Sequence, residues 1–136
     1  MWNGSSGTLA EGNTFVNCQR EIAFGLIERT PDDHTGGIIR SNFIYRDMTI
    51  AGDAAIGVAV GNVTTASSAL FVNPSAGGLR LKPTAAAAID RVTVVANCLA
   101  DWEGESRPQG PAADVGADEY RVGAALSPPR NLRIIR

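Results

Sequence analysis

Residues 68–90, SALFVNPSAGGLRLKPTAAAAID, and 101–120, DWEGESRPQGPAADVGADEY, decide how this chain is read. The first stretch holds two short apolar strings, Ala69 to Val72 and Leu79 to Leu81, bounded by Asn, Pro and Gly, the signal for strands. Thr84 is placed to cap the alanine run up to Asp90, which has length for one or two helical turns. The second stretch sets Asp101, Glu103, Glu105, Arg107, Asp114, Asp118 and Glu119 around Trp102, Pro108 and Pro111.

Upstream, the strings GNTFVNC (12–18) and RSNFIYR (40–46) share an asparagine followed two positions later by an apolar residue, and Asn62-Val63-Thr64 keeps the asparagine and its β-branched follower. Strands are expected over Asn13 to Asn17, Gly37 to Tyr45 and Ile56 to Val63, since each run is short, rich in Val, Ile and Phe, and bounded by turn residues. The asparagines lie 29 and 20 residues apart, intervals that suit a solenoid with loops of variable length. In a parallel stack, an asparagine at the bend of one turn hydrogen-bonds the asparagine of the next, satisfying polar groups that cost about 1–3 kcal/mol each when buried alone. The competing reading is that asparagine marks strand ends because it tolerates left-handed backbone. Ile22-Ala23-Phe24-Gly25 and Ile56-Gly57-Val58 read as strands of a second sheet, with glycine allowing close approach. The polar segment between Leu26 and Gly36, ERTPDDHT, reads as a protruding loop.

Composition agrees with an all-β chain. Apolar residues make up 44% but aromatics only 6%, and fifteen glycines and seven prolines punctuate short Val/Ile/Leu runs. With 136 residues, one domain with a real core is expected. A net charge of −2 gives no reason to expect nucleic acid, which requires a face rich in Lys and Arg. Cys18 and Cys98 stand eighty positions apart in no metal spacing; either a disulfide or two separate thiols fits. MWNGSSGTLAEG has neither the basic nor the apolar region of a signal peptide, and no run approaches the roughly 18 apolar residues of a membrane span. If the parent protein is exported, its signal lies on sequence outside this chain, and the chain reads as a C-terminal fragment or a truncated gene call.

Several spaced segments resemble, in order, the closing motif of secreted bacterial right-handed parallel β-helix proteins of the pectate-lyase-like superfamily. They are Leu70-Phe71-Val72-Asn73-Pro74, Leu79-Arg80-Leu81, Ala88-Ile89-Asp90, Asp101 through Pro108, and Asp114-Val115-Gly116-Ala117-Asp118-Glu119-Tyr120. The resemblance implies that residues 1–121 are the last coils and cap of such a solenoid, that upstream coils of the same parent protein precede them, and that the protein is extracellular or at the cell surface. This chain departs from the pattern at Gly78, where the family has Asp, at Ala86-Ala87, where it has Ser-Pro, and at Arg91-Val92, with an inserted VTVVANCLA.

A solenoid's last turn exposes an apolar face and open strand edges, so a cap is physically required. Trp102 and Tyr120 are expected to pack on the end of the core, with Arg107 pairing Asp114 or Asp118 to pin the segment. The alternative use of these acids is calcium binding, for which Asp101, Glu103 and Glu105 offer alternate ligands without the length or terminal glutamate of an EF-hand. Residues 122–136 read as a linker or tail, and Pro128 to Ile134 resembles the opening strand of a fibronectin type III module.

Catalytic candidates are few. His34, the single histidine, would need an orienting carboxylate such as Asp32 or Asp33. A lyase acting on uronates needs a base and cations, which Arg40, Arg46 and Lys82 offer by type, with Asp47 and Asp53 for metal. Asp47 and Asp53 read as loop residues, which leaves no acid pair for glycoside hydrolysis. No serine triad, phosphate loop or Cys/His metal set is present. The expected function is a surface module that contacts polysaccharide or cell-surface glycan. The alternatives are a fragment of a polysaccharide lyase or glycoside hydrolase, and a structural stalk or adhesin.

Overall fold

At three small residues followed by asparagine, the chain turns a corner. Gly12, Ser41 and Gly61 adopt φ of 65°, 54° and 62°, and Asn13, Asn42 and Asn62 follow them. Left-handed backbone costs an L-residue roughly 1–2 kcal/mol, which accounts for glycine at two of these corners. The asparagines are therefore not the left-handed residues. Their part is played by the side chain.

The structure, a computed structural model, describes residues 5–16, 22–27, 34–51, 57–92 and 97–122. A first pass of the chain forms β1 (Ser5–Ser6), β2 (Leu9–Glu11), β3 (Thr14–Phe15) and β4 (Ile22–Ile27). A second forms β5 (His34–Thr35), β6 (Gly37–Arg40), β7 (Phe43–Ile44) and β8 (Asp47–Ala51), and a third begins with β9 (Gly57–Val60). Every strand of the second pass pairs in parallel with its counterpart in the first, through Ser5↔His34, Leu9↔Ile38, Thr14↔Phe43 and Leu26↔Ile50. β9 extends the β2–β6 sheet in parallel through Ile38↔Val58, and Val63 bridges Phe43 beyond the corner. Three of these registers carry the 29-residue asparagine interval and the β6–β9 register carries the 20-residue one.

The asparagines form a continuous column. Asn13 Nδ2 donates to Asn42 Oδ1 at 2.9 Å, and Asn42 Nδ2 donates to Asn62 Oδ1 at 2.8 Å. Each amide oxygen also accepts a backbone N–H, from Asn13 at 3.0 Å and from Asn42 at 3.1 Å. Nδ2 groups reach back to the preceding strands, Asn42 to the Ala10 carbonyl and Asn62 to that of Ile39. Asn42 is 0% exposed yet fully engaged, which is the condition for burying an amide without penalty.

The structure corrects several sequence expectations. Gly37 to Tyr45 is two strands meeting at the Ser41–Asn42 corner, because nine extended residues would run past the end of the short neighbouring β2. Gly57-Val58 belongs to the β2–β6 sheet and not to a second one; the second sheet pairs β4 with β8. His34 lies on a strand and not in a loop, as does Asp47 at the start of β8, whereas Asp32, Asp33, Asp53, Ile56 and Asn17 lie outside the described residues. Close approach at glycine holds at Gly57, where an added Cβ would fall 2.4 Å from the Gly37 carbonyl oxygen.

From Ser67 onward the chain leaves the parallel pattern. Short 3-10 turns at Ser68–Leu70 and Pro74–Ala76 flank β10 (Phe71–Asn73), which pairs antiparallel with β11 (Gly78–Leu81). Gly78, where the resembled family carries Asp, sits with its α-carbon face against Asn73, an added Cβ lying 3.1 Å from the Asn73 carbonyl oxygen. The alanine run makes successive turns, with Ala88 and Ile89 amides donating to the Ala85 carbonyl.

Phe43 joins the two parts of the molecule. It belongs to the second pass, and its ring lies 5.7 Å from that of Phe71 at 45° in a core completed by Ala66, Leu81, Ala85, Ala88, Val92, Ala113 and Val115. The closing segment also docks through its backbone: Gly116 N donates to the Ser41 carbonyl and Ala117 N to Thr14 Oγ1, both at 2.9 Å. Gly116 has φ of 103°, and a Cβ there would stand 2.6 Å from Thr14 Oγ1 and 2.9 Å from Phe43 Cβ. Only glycine lets the segment lie this close. Among the described residues no helix is long and apolar enough to cross a membrane.

Candidate functional site in the closing segment

The acids of the closing segment accept backbone N–H groups that strands and turns leave over. Asp114 accepts from Asp90 N at 2.7 Å and Tyr120 N at 2.6 Å, and Asp118 from Leu81 N at 2.6 Å and the Trp102 indole at 3.2 Å. Glu119 accepts from Gln109 N at 2.8 Å and Asp114 N at 3.0 Å. Asp101 Oδ1 takes the Glu103 and Glu105 amides at 2.9 and 2.8 Å and so closes the turn at Trp102 to Gly104. Asp90, at φ 57°, accepts from Ala112 N at 3.2 Å. Irregular backbone buried against a core must find partners, and these carboxylates supply them.

Arg107 holds the assembly together. Its guanidinium pairs Nε with Glu119 Oε2 at 3.0 Å, and its two remaining nitrogens donate to the Gly116 and Asp114 carbonyls. The expected pairing with an Asp114 or Asp118 carboxylate is thus corrected: the acid is Glu119, and Asp114 contributes its backbone. Both Asp side chains serve amide donors elsewhere, whereas Glu119 Oε2 meets the fork while also accepting the Asp114 amide. Trp102 is likewise corrected, since it is 55% exposed and tethered through its indole to Asp118 instead of lying on the core. Tyr120 does pack against the core, half-buried.

Burial raises the carboxyl of Asp114 to about 6, despite the Tyr120 and Asp90 amides that favour its charged form, with Glu119 and Asp90 adding repulsion. Asp118 is also held above the ordinary carboxylate range, first by burial, with Asp101 and Glu103 acting in the same direction. Asp101, Glu103 and Asp118 offer three carboxylate oxygens within 4.8 Å of one another. The trio differs from the sequence expectation in one member. Glu105 turns away to pair Arg121 at 3.0 Å, and Asp118, distant in sequence, takes its place.

The catalytic candidates are dispersed. Arg40 faces Glu11 across the β2–β6 register, pairing Nη2 with Oε2 at 3.0 Å, an oxygen that also accepts from Asn97. Lys82 donates to the Ala69 carbonyl, and the Arg46 guanidinium lies 5.2 Å from the Tyr45 ring centre. His34 is half-buried on β5 beside Ser5, while its intended carboxylates lie outside the described residues. Cys98 is a free thiol that donates to the Glu11 carbonyl at 3.7 Å; Cys18, its possible partner, lies outside the described residues.

One cleft of about 710 Å³ opens on the surface of the closing segment. Ile89 and Tyr120 line it together with Asp90, Arg91, Gln109 and Arg121. The sequence reading missed it because its walls come from three separate stretches, 83–91, 109–111 and 120–122; the Arg91-Val92 departure from the resembled motif was the available signal. No protein-family model, curated protein or solved structure matches this chain.

Proposed function

We propose that this chain is the closing end of a right-handed parallel β-helix from an exported bacterial protein, and that it works as a carbohydrate-contacting module at the cell surface or outside it. The architectural part is supported by the asparagine column and the matched parallel registers. Within the described residues β1, β2, β3 and β4 are each paired on one side, so the first pass offers open edges on which upstream coils would stack. Residues 123–136, read from the sequence as a linker or tail, lie outside the described residues.

The observation that carries the functional part is the cleft. It sets an aromatic ring, Tyr120, and apolar Ile89 beside Arg91, Arg121, Asp90 and Gln109. A sugar presents an apolar C–H face and a rim of hydroxyls, and this wall offers a match for both. An enzymatic reading finds less support, because Arg40, Arg46 and Lys82 are each engaged by a different local partner.

The test is a binding screen of the full chain against neutral and uronate polysaccharides, with the absorbance of unsaturated product followed in parallel. Retention on at least one glycan is expected, weakened about tenfold in Arg91→Ala and in Tyr120→Leu, which keeps the apolar packing but removes the ring. Product formation would favour the lyase reading. Retention on no glycan would end the carbohydrate reading and leave a stalk.

A further inference from the structure

We infer that Asp101, Glu103 and Asp118 form a binding site for a hard divalent cation of the calcium class, next to Trp102. Clustered acids alone do not make a site, and here the decisive feature is one atom. Asp101 is 8% exposed, and while its Oδ1 is fixed by two amides, its Oδ2 is buried without any hydrogen-bond partner. A carboxylate oxygen shut away from water and left unpaired costs free energy unless something positive meets it.

The carboxyl group that carries this atom has further carboxylates as neighbours. Asp118, 4% exposed, stands with Glu103 in the same 4.8 Å group. Among the described residues the group's ion-pair partner is Arg80, which meets Glu103. Three carboxylates against one guanidinium leave two charges uncompensated, which one divalent ion cancels. The donors are also held in advance: Asp101 by its turn, Asp118 by Leu81 N and the Trp102 indole. Glu103 closes the set from the solvent side, so an ion can enter. An all-oxygen donor set from mixed turn positions suits the irregular coordination of Ca²⁺ better than the strict octahedron of Mg²⁺.

The Trp102 indole, bonded to Asp118, provides a direct readout. Tb³⁺, a close substitute for Ca²⁺, luminesces when excited through a neighbouring indole. The chain has two tryptophans, so the titration is run on the full chain carrying Trp2→Phe. Sensitised emission is expected to saturate at one ion per chain and to be chased by Ca²⁺ more readily than by Mg²⁺. In Glu103→Gln, at a solvent-facing position whose loss leaves the buried donors in place, affinity should fall about tenfold or more with an unchanged circular dichroism spectrum. Asp101→Asn should abolish the emission. Emission absent from the Trp2→Phe chain, or unaltered by Glu103→Gln, would overturn the inference. Glycan retention does not enter this test, so its outcome is independent of the carbohydrate reading.

Discussion

Replacing Arg107 with Met is expected to lower the free energy of unfolding by about 3–5 kcal/mol, the range for removing one partner of a buried ion pair. The Arg107 side chain is 3% exposed and that of Glu119 1% exposed, so water cannot take over when the guanidinium is lost. Methionine keeps much of the packing, which isolates the polar loss. That loss has three parts: the Glu119 carboxylate, the Gly116 carbonyl and the Asp114 carbonyl all lose a donor. Glu119 retains the Gln109 and Asp114 amides, so its charge is not abandoned altogether. The double variant Arg107→Met/Glu119→Gln should therefore recover part of the loss. Urea unfolding followed by circular dichroism measures both. A single-variant cost below about 1 kcal/mol, the range of a surface pair, would mean that Arg107 does not pin the closing segment.

Asn42→Ala should be comparably damaging, at about 3–4 kcal/mol, because Asn42 is the middle of the column. Its side chain accepts from Asn13 N and Asn13 Nδ2 and donates to Ala10 O and Asn62 Oδ1. Alanine removes all four bonds, each worth about 0.5–1.5 kcal/mol net and more where the partner stays buried. Asn13→Ala lies at the first of the three asparagines, whose side chain donates to Asn42 Oδ1 and the Glu11 carbonyl among the described residues, and should cost about 1 kcal/mol. Asn42→Asp keeps the acceptor but loses both donors and faces a carboxylate to Asn62 Oδ1, so it should not rescue stability. If Asn42 merely suited a bend, Asp or Gly would substitute freely; the bend's left-handed residue is in fact Ser41.

Much of the parallel architecture was legible because a stacked fold writes its register into the spacing of its corner residues. The intervals from Asn13 to Asn42 and from Asn42 to Asn62 match the registers of β2–β6 and β6–β9. The corner splitting Gly37 to Tyr45 was harder to see, since Ser41 carries a positive φ that serine seldom adopts, where Gly12 and Gly61 announce theirs. Charge density marked the closing segment but not its wiring. Asp118 accepts from Leu81 N, 37 residues away, and Asp114 from Asp90 N, 24 away; backbone donors have no sequence signature. The same blindness chose Glu105 for the acidic trio. Local alternation favoured it, whereas Arg121 claims it and the fold delivers Asp118. Trp102 was expected inside on hydrophobic grounds, yet it stays 55% exposed while its indole N–H reaches the buried Asp118 carboxylate.

The central claim, that successive passes of the chain lie parallel and in register, is tested most directly by scalar couplings across hydrogen bonds in isotope-labelled protein. In the second pass, Phe43 N donates to the Asn13 carbonyl at 2.8 Å on one side and Ile44 N to the Val63 carbonyl at 2.7 Å on the other. The account predicts both correlations, Phe43 N with Asn13 C′ and Ile44 N with Val63 C′, in one spectrum. Correlations from these two amides to any other carbonyls would contradict it.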